Sequence, residues 1–114
     1  MKGTHLGEFQ EVALLTILVL GNEAYGVSIK QEINKNVNRA ISRGALHTAL
    51  TRLEEKGYLT SRQGEANAER GGRPKRYYEV TNKGKSVLTE AKETRDQLWS
   101  KIPSVRLELQ YALS

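Results

Sequence analysis

Residues Ser42 to Thr81, SRGALHTALTRLEEKGYLTSRQGEANAERGGRPKRYYEVT, read as an amphipathic helix followed by a two-stranded hairpin, and that pairing decides the fold. Leu46, Ala49, Leu50 and Leu53 recur at three- and four-residue steps and make one apolar stripe, while Arg43, His47, Thr51 and Glu55 fall on other faces. Ser42 is placed to accept a hydrogen bond from an early helical N–H. Gly57 is placed to take the left-handed conformation that ends the helix after Lys56. The free face near the start carries Arg43, His47, Thr48 and Thr51, short or forked donors able to reach base edges from a major groove. A merely solvated amphipathic helix would show the same pattern, so the helix alone leaves both readings open.

The hairpin adds to it. Tyr58, Leu59 and Thr60 begin a strand, and Arg76 to Thr81 returns with polar and apolar residues alternating. In the polar loop between them, Gly71 and Gly72 free the backbone to turn, and Pro74 fixes the chain direction just before Lys75 and Arg76. Arg73, at the tip, is suited to a narrow minor groove, where negative potential concentrates. A charged turn facing only solvent is the plainer alternative. Helix followed by basic hairpin is the layout of a winged helix.

Charge distribution favours nucleic acid as the partner. The chain of 114 residues has 18 Lys and Arg against 13 Asp and Glu, a formal charge of +5. Residues 37–84 alone hold ten basic and five acidic side chains, whereas residues 1–36 are net negative by one and 85–114 net positive by one. A local excess of this kind is the footprint of a phosphate-neutralising surface. An anionic membrane would also attract it, but the basic residues do not share a helix face opposite large apolar groups. With no cysteine, disulfides, thiol catalysis and cysteine-based zinc or redox sensing are excluded. The apolar run near the N-terminus has no cleavage signature after it, so a secretory signal is not expected and a cytoplasmic location is.

That run, Val12 to Leu20, is far shorter than the roughly 20 residues that span a bilayer. Preceded by Glu8, Phe9 and Glu11 and stopped by Gly21-Asn22, it predicts a first helix of about three to four turns. A helix apolar on nearly every side must be covered on nearly every side, and one small domain covers about half, so a second subunit is expected on the rest, with a helix wholly wrapped by its own domain as the alternative. A second helix is predicted from Tyr25 to Asn36, with Val27, Ile29 and Ile33 for packing and an ordinary polar face. The following link contains Arg39-Ala40-Ile41, a short stretch expected to pair as a strand with the hairpin.

After Thr81-Asn82-Lys83-Gly84, a long helix is predicted from Lys85 to about Ile102. Leu88, Ala91, Leu98 and Ile102 form its stripe, extended by Val87 and Trp99, but Arg95 falls where a coiled-coil seam wants an apolar residue. Pairing with the first helix of a partner chain would cover both exposed surfaces. Pro103 ends the segment, and Ser104 to Ser114 suit either a short helix or, because Val105, Leu107, Leu109, Tyr111 and Leu113 alternate, a strand, with the helix favoured. The fold class is therefore mainly α with a small antiparallel β wing. Residues 1–81 form the winged-helix part, N-terminal helix included, and 82–114 a C-terminal dimerisation helix with a short tail, in one compact unit.

LGEFQEVALLTILVLGNEAYGVSI, ISRGALHTALTRLEEKGYL and RGGRPKRYYEVTNKGKSVL together resemble the PadR family of transcriptional regulators over roughly residues 6 to 88, in the family's order and spacing. The resemblance implies a winged-helix homodimer, built from the first and last helices, that binds a near-palindromic double-stranded operator and usually represses. In many members a small molecule or other signal releases it. Carried across, the DNA-contacting positions are Ser42, Arg43, Gly44, His47 and Thr48 at the start of the recognition helix, and Arg73, Lys75 and Arg76 in the wing. Tyr25 matches a position that can touch phosphate. Many members have Tyr-Pro where this chain has His47-Thr48, which implies a different base sequence read here. In some relatives a tryptophan on the last helix lines a cavity between subunits, which makes Trp99 the candidate effector contact, with core packing as the alternative.

Three functional classes compete. A dimeric DNA-binding repressor leads, and a winged-helix interaction module using its basic face on an acidic partner protein comes second. An enzyme comes last, because the chain offers no phosphate-binding Gly loop and no defensible Ser-His-Asp order. No cofactor is implied, and a metal site is not expected, since His5 and His47 are the only histidines and lie in unrelated segments.

Overall fold

The computed structural model describes residues 6–38, 40–65 and 74–108. Among them four α-helices and one hairpin follow in the order α1 (Glu8–Leu20), α2 (Gly26–Asn36), α3 (Arg43–Glu55), β1 (Leu59–Gln63), β2 (Arg76–Val80) and α4 (Asn82–Lys101), with 3-10 turns at Gly21–Glu23 and Ser104–Leu107. The helix ends obey the local chemistry. Ser42 Oγ accepts the Ala45 N–H at 3.0 Å and starts α3, and Gly57, at φ 81°, turns the chain out of it.

β1 and β2 pair antiparallel with Leu59 opposite Val80 and Gln63 opposite Arg76. Leu59 and Val80 point into a core shared with Leu14 and Ile17 of α1, Ile29 and Ile33 of α2, and Leu46, Leu50 and Leu53 of α3. Val27, expected to pack with the α2 pair, instead stays 40% exposed, because it sits on the opposite side of the helix from Ile29 and Ile33.

Thr81 ties the base of the hairpin to the last helix. Its hydroxyl donates to the Gly57 carbonyl at 2.7 Å and accepts the Gly84 N–H at 3.0 Å. α4 therefore begins at Asn82, three residues earlier than the sequence suggests. Gly84 lies so close to the hairpin base that a Cβ there would come within 2.4 Å of the Tyr58 carbonyl oxygen and 2.7 Å of Val80 Cγ1. Only a residue without a side chain lets α4 dock here.

The expected strand at 39–41 needs correcting. Ala40 and Ile41 lie outside any strand, and Arg39 is outside the described residues. Ile41 is buried in the core, and its N–H is held by Asn34 Oδ1 at 3.0 Å. The segment that joins the hairpin is Ala24-Tyr25. The Tyr78 N–H donates to the Ala24 carbonyl at 2.9 Å, and Tyr25 bridges antiparallel to Tyr77.

The outer half of α4 does not join this core. Leu88 and Ala91 are buried, but Leu98 and Trp99 are 60% and 61% exposed, and Leu15, Leu18 and Val19 of α1 are also exposed. Arg95, the residue that breaks the apolar seam, makes two 2.6 Å contacts with the carboxylate of Glu11 on α1. The Glu11 side chain is only 10% exposed against 55% for Arg95, so the guanidinium reaches inward to satisfy a nearly buried charge. Of the stretch 104–114, where the sequence favours a short helix, the described part holds a single 3-10 turn at Ser104–Leu107, and residues 109–114 lie outside the described residues. Among the described residues no helix is long and apolar enough to cross a membrane.

Candidate nucleic-acid interface

α2, α3 and the root of the hairpin enclose an open groove of about 520 Å³. Tyr25 enters it from the start of α2, Arg43 and His47 from the first turns of α3, and Lys75 and Arg76 from the returning strand. Five residues singled out from the sequence thus meet on one surface. Ser42, Gly44 and Thr48 are exposed at the same end of α3 without lining the groove. The Ser42 oxygen is occupied by the helix cap, which leaves its hydroxyl proton free to be donated outward. Arg73, the expected tip cation, lies outside the described residues.

Lys30 and Gln31 also line the groove, together with Val27 and Asn34, so the polar face of α2 is less ordinary than its sequence suggests. Positions 27, 30, 31 and 34 follow helical spacing on the side away from Ile29 and Ile33, and that stripe was the available signal. Which way α2 turns its stripe depends on how the core seats Ile29 and Ile33.

The hairpin is braced to α3 through side chains. Arg76 Nη1 donates to Ser61 Oγ at 2.8 Å, and Ser61 Oγ donates to Glu54 Oε2 at 2.8 Å. Burial, and then the Glu54 carboxylate, hold the Tyr78 phenol above its ordinary range, with Arg76 opposing.

A second contact runs through aromatic faces. Tyr25 and Tyr77 meet edge to face with ring centroids 5.7 Å apart and planes at 65°. Lys75 Nζ lies 4.1 Å from the centre of the Tyr25 ring, and the Arg62 guanidinium 4.9 Å from that of Tyr77. These distances fall within the range of cation–π attraction. Trp99 is on a different element, exposed on α4. Among the described residues no group of three or more His, Asp or Glu side chains is placed to hold a metal ion.

The arrangement offers cations held by their neighbours beside an exposed helix end, which suits the binding of an anionic ligand. The sequence model of the transcriptional regulator PadR-like family matches residues 14–90, a span that takes in the whole groove and stops near the last buried residue of α4. Transcriptional regulator Rv3488 of Mycobacterium tuberculosis (strain ATCC 25618 / H37Rv) is 36% identical over 94 residues, covering 80% of this chain and 83% of the relative. A PadR-like transcription factor structure from Bacteroides fragilis superposes with a TM-score of 0.64 at 30% identity, over 81% of this chain and 84% of that one. A PadR family transcription regulator structure from Clostridium difficile R20291 gives 0.63 at 25% identity, over 88% of this chain and 99% of that one.

Proposed function

Because this chain belongs to the PadR-like family of DNA-binding transcriptional regulators, which are not enzymes, we propose that it acts in the cytoplasm as a homodimeric repressor of a near-palindromic double-stranded operator. The convergence of Arg43, His47, Lys75 and Arg76 on the groove between α3 and the wing carries this reading. Arg43, His47 and Thr48 read base edges in the major groove. Ser42, the Gly44 backbone, Lys75 and Arg76 position the duplex through its phosphates, with Tyr25 beside Lys75 at the same groove, and Arg73 enters the minor groove.

The dimer forms where α1 exposes Leu15, Leu18 and Val19, and where Leu98 and Trp99 of α4 and Ile102 just past its end are exposed. Large apolar side chains concentrated on two elements are what a second copy would bury. On this reading residues 1–81 bind DNA and 82–114 join the subunits. The two recognition helices then stand about 34 to 36 Å apart, one turn of duplex. A small-molecule effector bound between the subunits beside Trp99 releases the operator. Trp99 is the only tryptophan, so quenching of intrinsic fluorescence reports that event directly.

The test is fluorescence anisotropy with DNA from immediately upstream of the protein's own gene, against a shuffled duplex of equal composition, over a salt series. Tighter binding to the native duplex that survives physiological salt is expected. Equal binding to both, fading steeply with salt, would leave only a phosphate-attracting surface and turn attention to an acidic protein partner.

A further inference from the structure

We propose that Tyr25 is a positioning residue whose ring holds the Lys75 ammonium at the mouth of the groove, so that its contribution to operator binding comes from the aromatic face and not from the hydroxyl. The inference rests on the DNA-binding reading above and assigns Tyr25 a different task within it.

Lysine is a poor fixed contact, because its long stem loses much rotamer freedom when it meets a phosphate. A carboxylate could hold the stem in advance, but it would cancel the charge the phosphate needs. An aromatic face attracts the cation and leaves its charge in place. At 4.1 Å from the Tyr25 ring centre, Lys75 has this second kind of support, and among the described residues no carboxylate pairs with it.

The ring is itself anchored. Tyr25 bridges to Tyr77 through the backbone and packs edge to face on its ring. Gly64 makes room for Tyr77, since a Cβ at that position would lie 2.7 Å from the Tyr77 ring. The Gly64 N–H donates to the Lys75 carbonyl at 2.6 Å, which fixes the backbone of the same lysine. Arg62 covers Tyr77, so the set closes on both sides. Lys75 is thereby set in the groove before DNA arrives.

The experiment combines NMR of the free full chain with anisotropy on the native operator, for wild type and for Tyr25→Phe, Tyr25→Leu, Lys75→Gln and the Tyr25→Leu/Lys75→Gln double variant. In wild type and Tyr25→Phe the Lys75 side-chain methylene signals are expected upfield, shifted by the ring current, and in Tyr25→Leu they return to ordinary positions. Tyr25→Phe should bind like wild type, and Tyr25→Leu about two- to fivefold more weakly, the scale of an exposed cation–π contact. The double variant should bind no more weakly than Lys75→Gln.

Tyr25→Phe binding as poorly as Tyr25→Leu, additive losses in the double variant, or unshifted Lys75 signals in wild type would each overturn the assignment while leaving the regulator reading intact. Wild type without preference for any operator, but with the Lys75 signals shifted, would instead bring down the regulator reading and the DNA role of Tyr25 with it. Should Tyr25→Leu fail to fold, Tyr25→Phe and the wild-type Lys75 signals still decide.

Discussion

The wing groove and the outer half of α4 satisfy their side chains by opposite means. Around the groove, contacts close within one chain: Arg76 on Ser61, Ser61 on Glu54, Lys75 on Tyr25. Along α4 beyond Ala91, one inward tie, Arg95 to Glu11, is followed by Leu98 and Trp99 standing in solvent. A surface that binds a charged ligand must be held rigid without giving up its charge. A surface that binds its own copy must keep apolar area uncovered until that copy arrives. The difference fits the proposed dimer, with the groove as a head completed within one chain and the outer half of α4 as an arm left for a second copy.

The sharpest attempt to break this contrast is a charge on the arm. Leu98→Glu is expected to convert a dimer to a monomer in sedimentation at micromolar concentration and to weaken operator binding by about 10²-fold or more, as one bound half-site no longer helps the other. Its helical content by circular dichroism should change little, because Leu98 is not part of the chain's own core, while its unfolding midpoint should lose the dependence on protein concentration that a dimer shows. A Leu98→Glu chain that stays dimeric would place the subunit contact elsewhere.

Gly84→Ala addresses the joint between head and arm. A methyl group forced against the Tyr58 carbonyl and Val80 must shift α4 or the hairpin, at a cost of about 1–3 kcal/mol read from the denaturant midpoint. An unchanged midpoint would show that α4 is not docked so closely.

Arg95→Ala leaves the Glu11 carboxylate nearly buried without its partner. A lower denaturant midpoint is expected, with a modest shift because Arg95 itself is half exposed. Glu11→Gln combined with Arg95→Met should recover most of it, since the cost lies in the orphaned charge and not in the missing attraction. Failure to recover would mean that the ion pair itself stabilises the chain.

The smallest effect belongs to the brace. Ser61→Ala removes the hydrogen bond Ser61 accepts from Arg76 and the one it donates to Glu54, and should cost about 0.5–1 kcal/mol of stability, because all three groups are solvent-accessible. Operator affinity should fall by less than it does for Lys75→Gln.

Sequence reading succeeded where a few neighbouring residues settle the outcome and failed where distant ones do. Ser42 caps α3 and Gly57 ends it by interactions within four residues, and the Leu46, Leu50, Leu53 stripe is set by helical period alone. The third segment of the wing was misplaced to 39–41 because Arg39-Ala40-Ile41 has a strand-like composition, while Ala24-Tyr25 has none to advertise. What draws Ala24 to the hairpin is its carbonyl facing the Tyr78 N–H across the core. Arg95 looked like a flaw in an apolar seam because its partner, Glu11, is 84 positions away.

The amino-acid order by itself determined the four α-helices to within a few residues, both ends of α3, the hairpin, the concentration of positive charge on residues 37–84 and the family resemblance. All of these follow from local periodicity, turn chemistry or composition. Only the tertiary structure decided that Lys30 and Gln31 share a groove with Arg43 and His47, that Lys75 rests on Tyr25, and that Glu11 rather than an apolar residue receives Arg95. Those pairings depend on how packed elements rotate about a common core. Burial fixes that rotation through many side chains at once, which no short stretch of sequence contains.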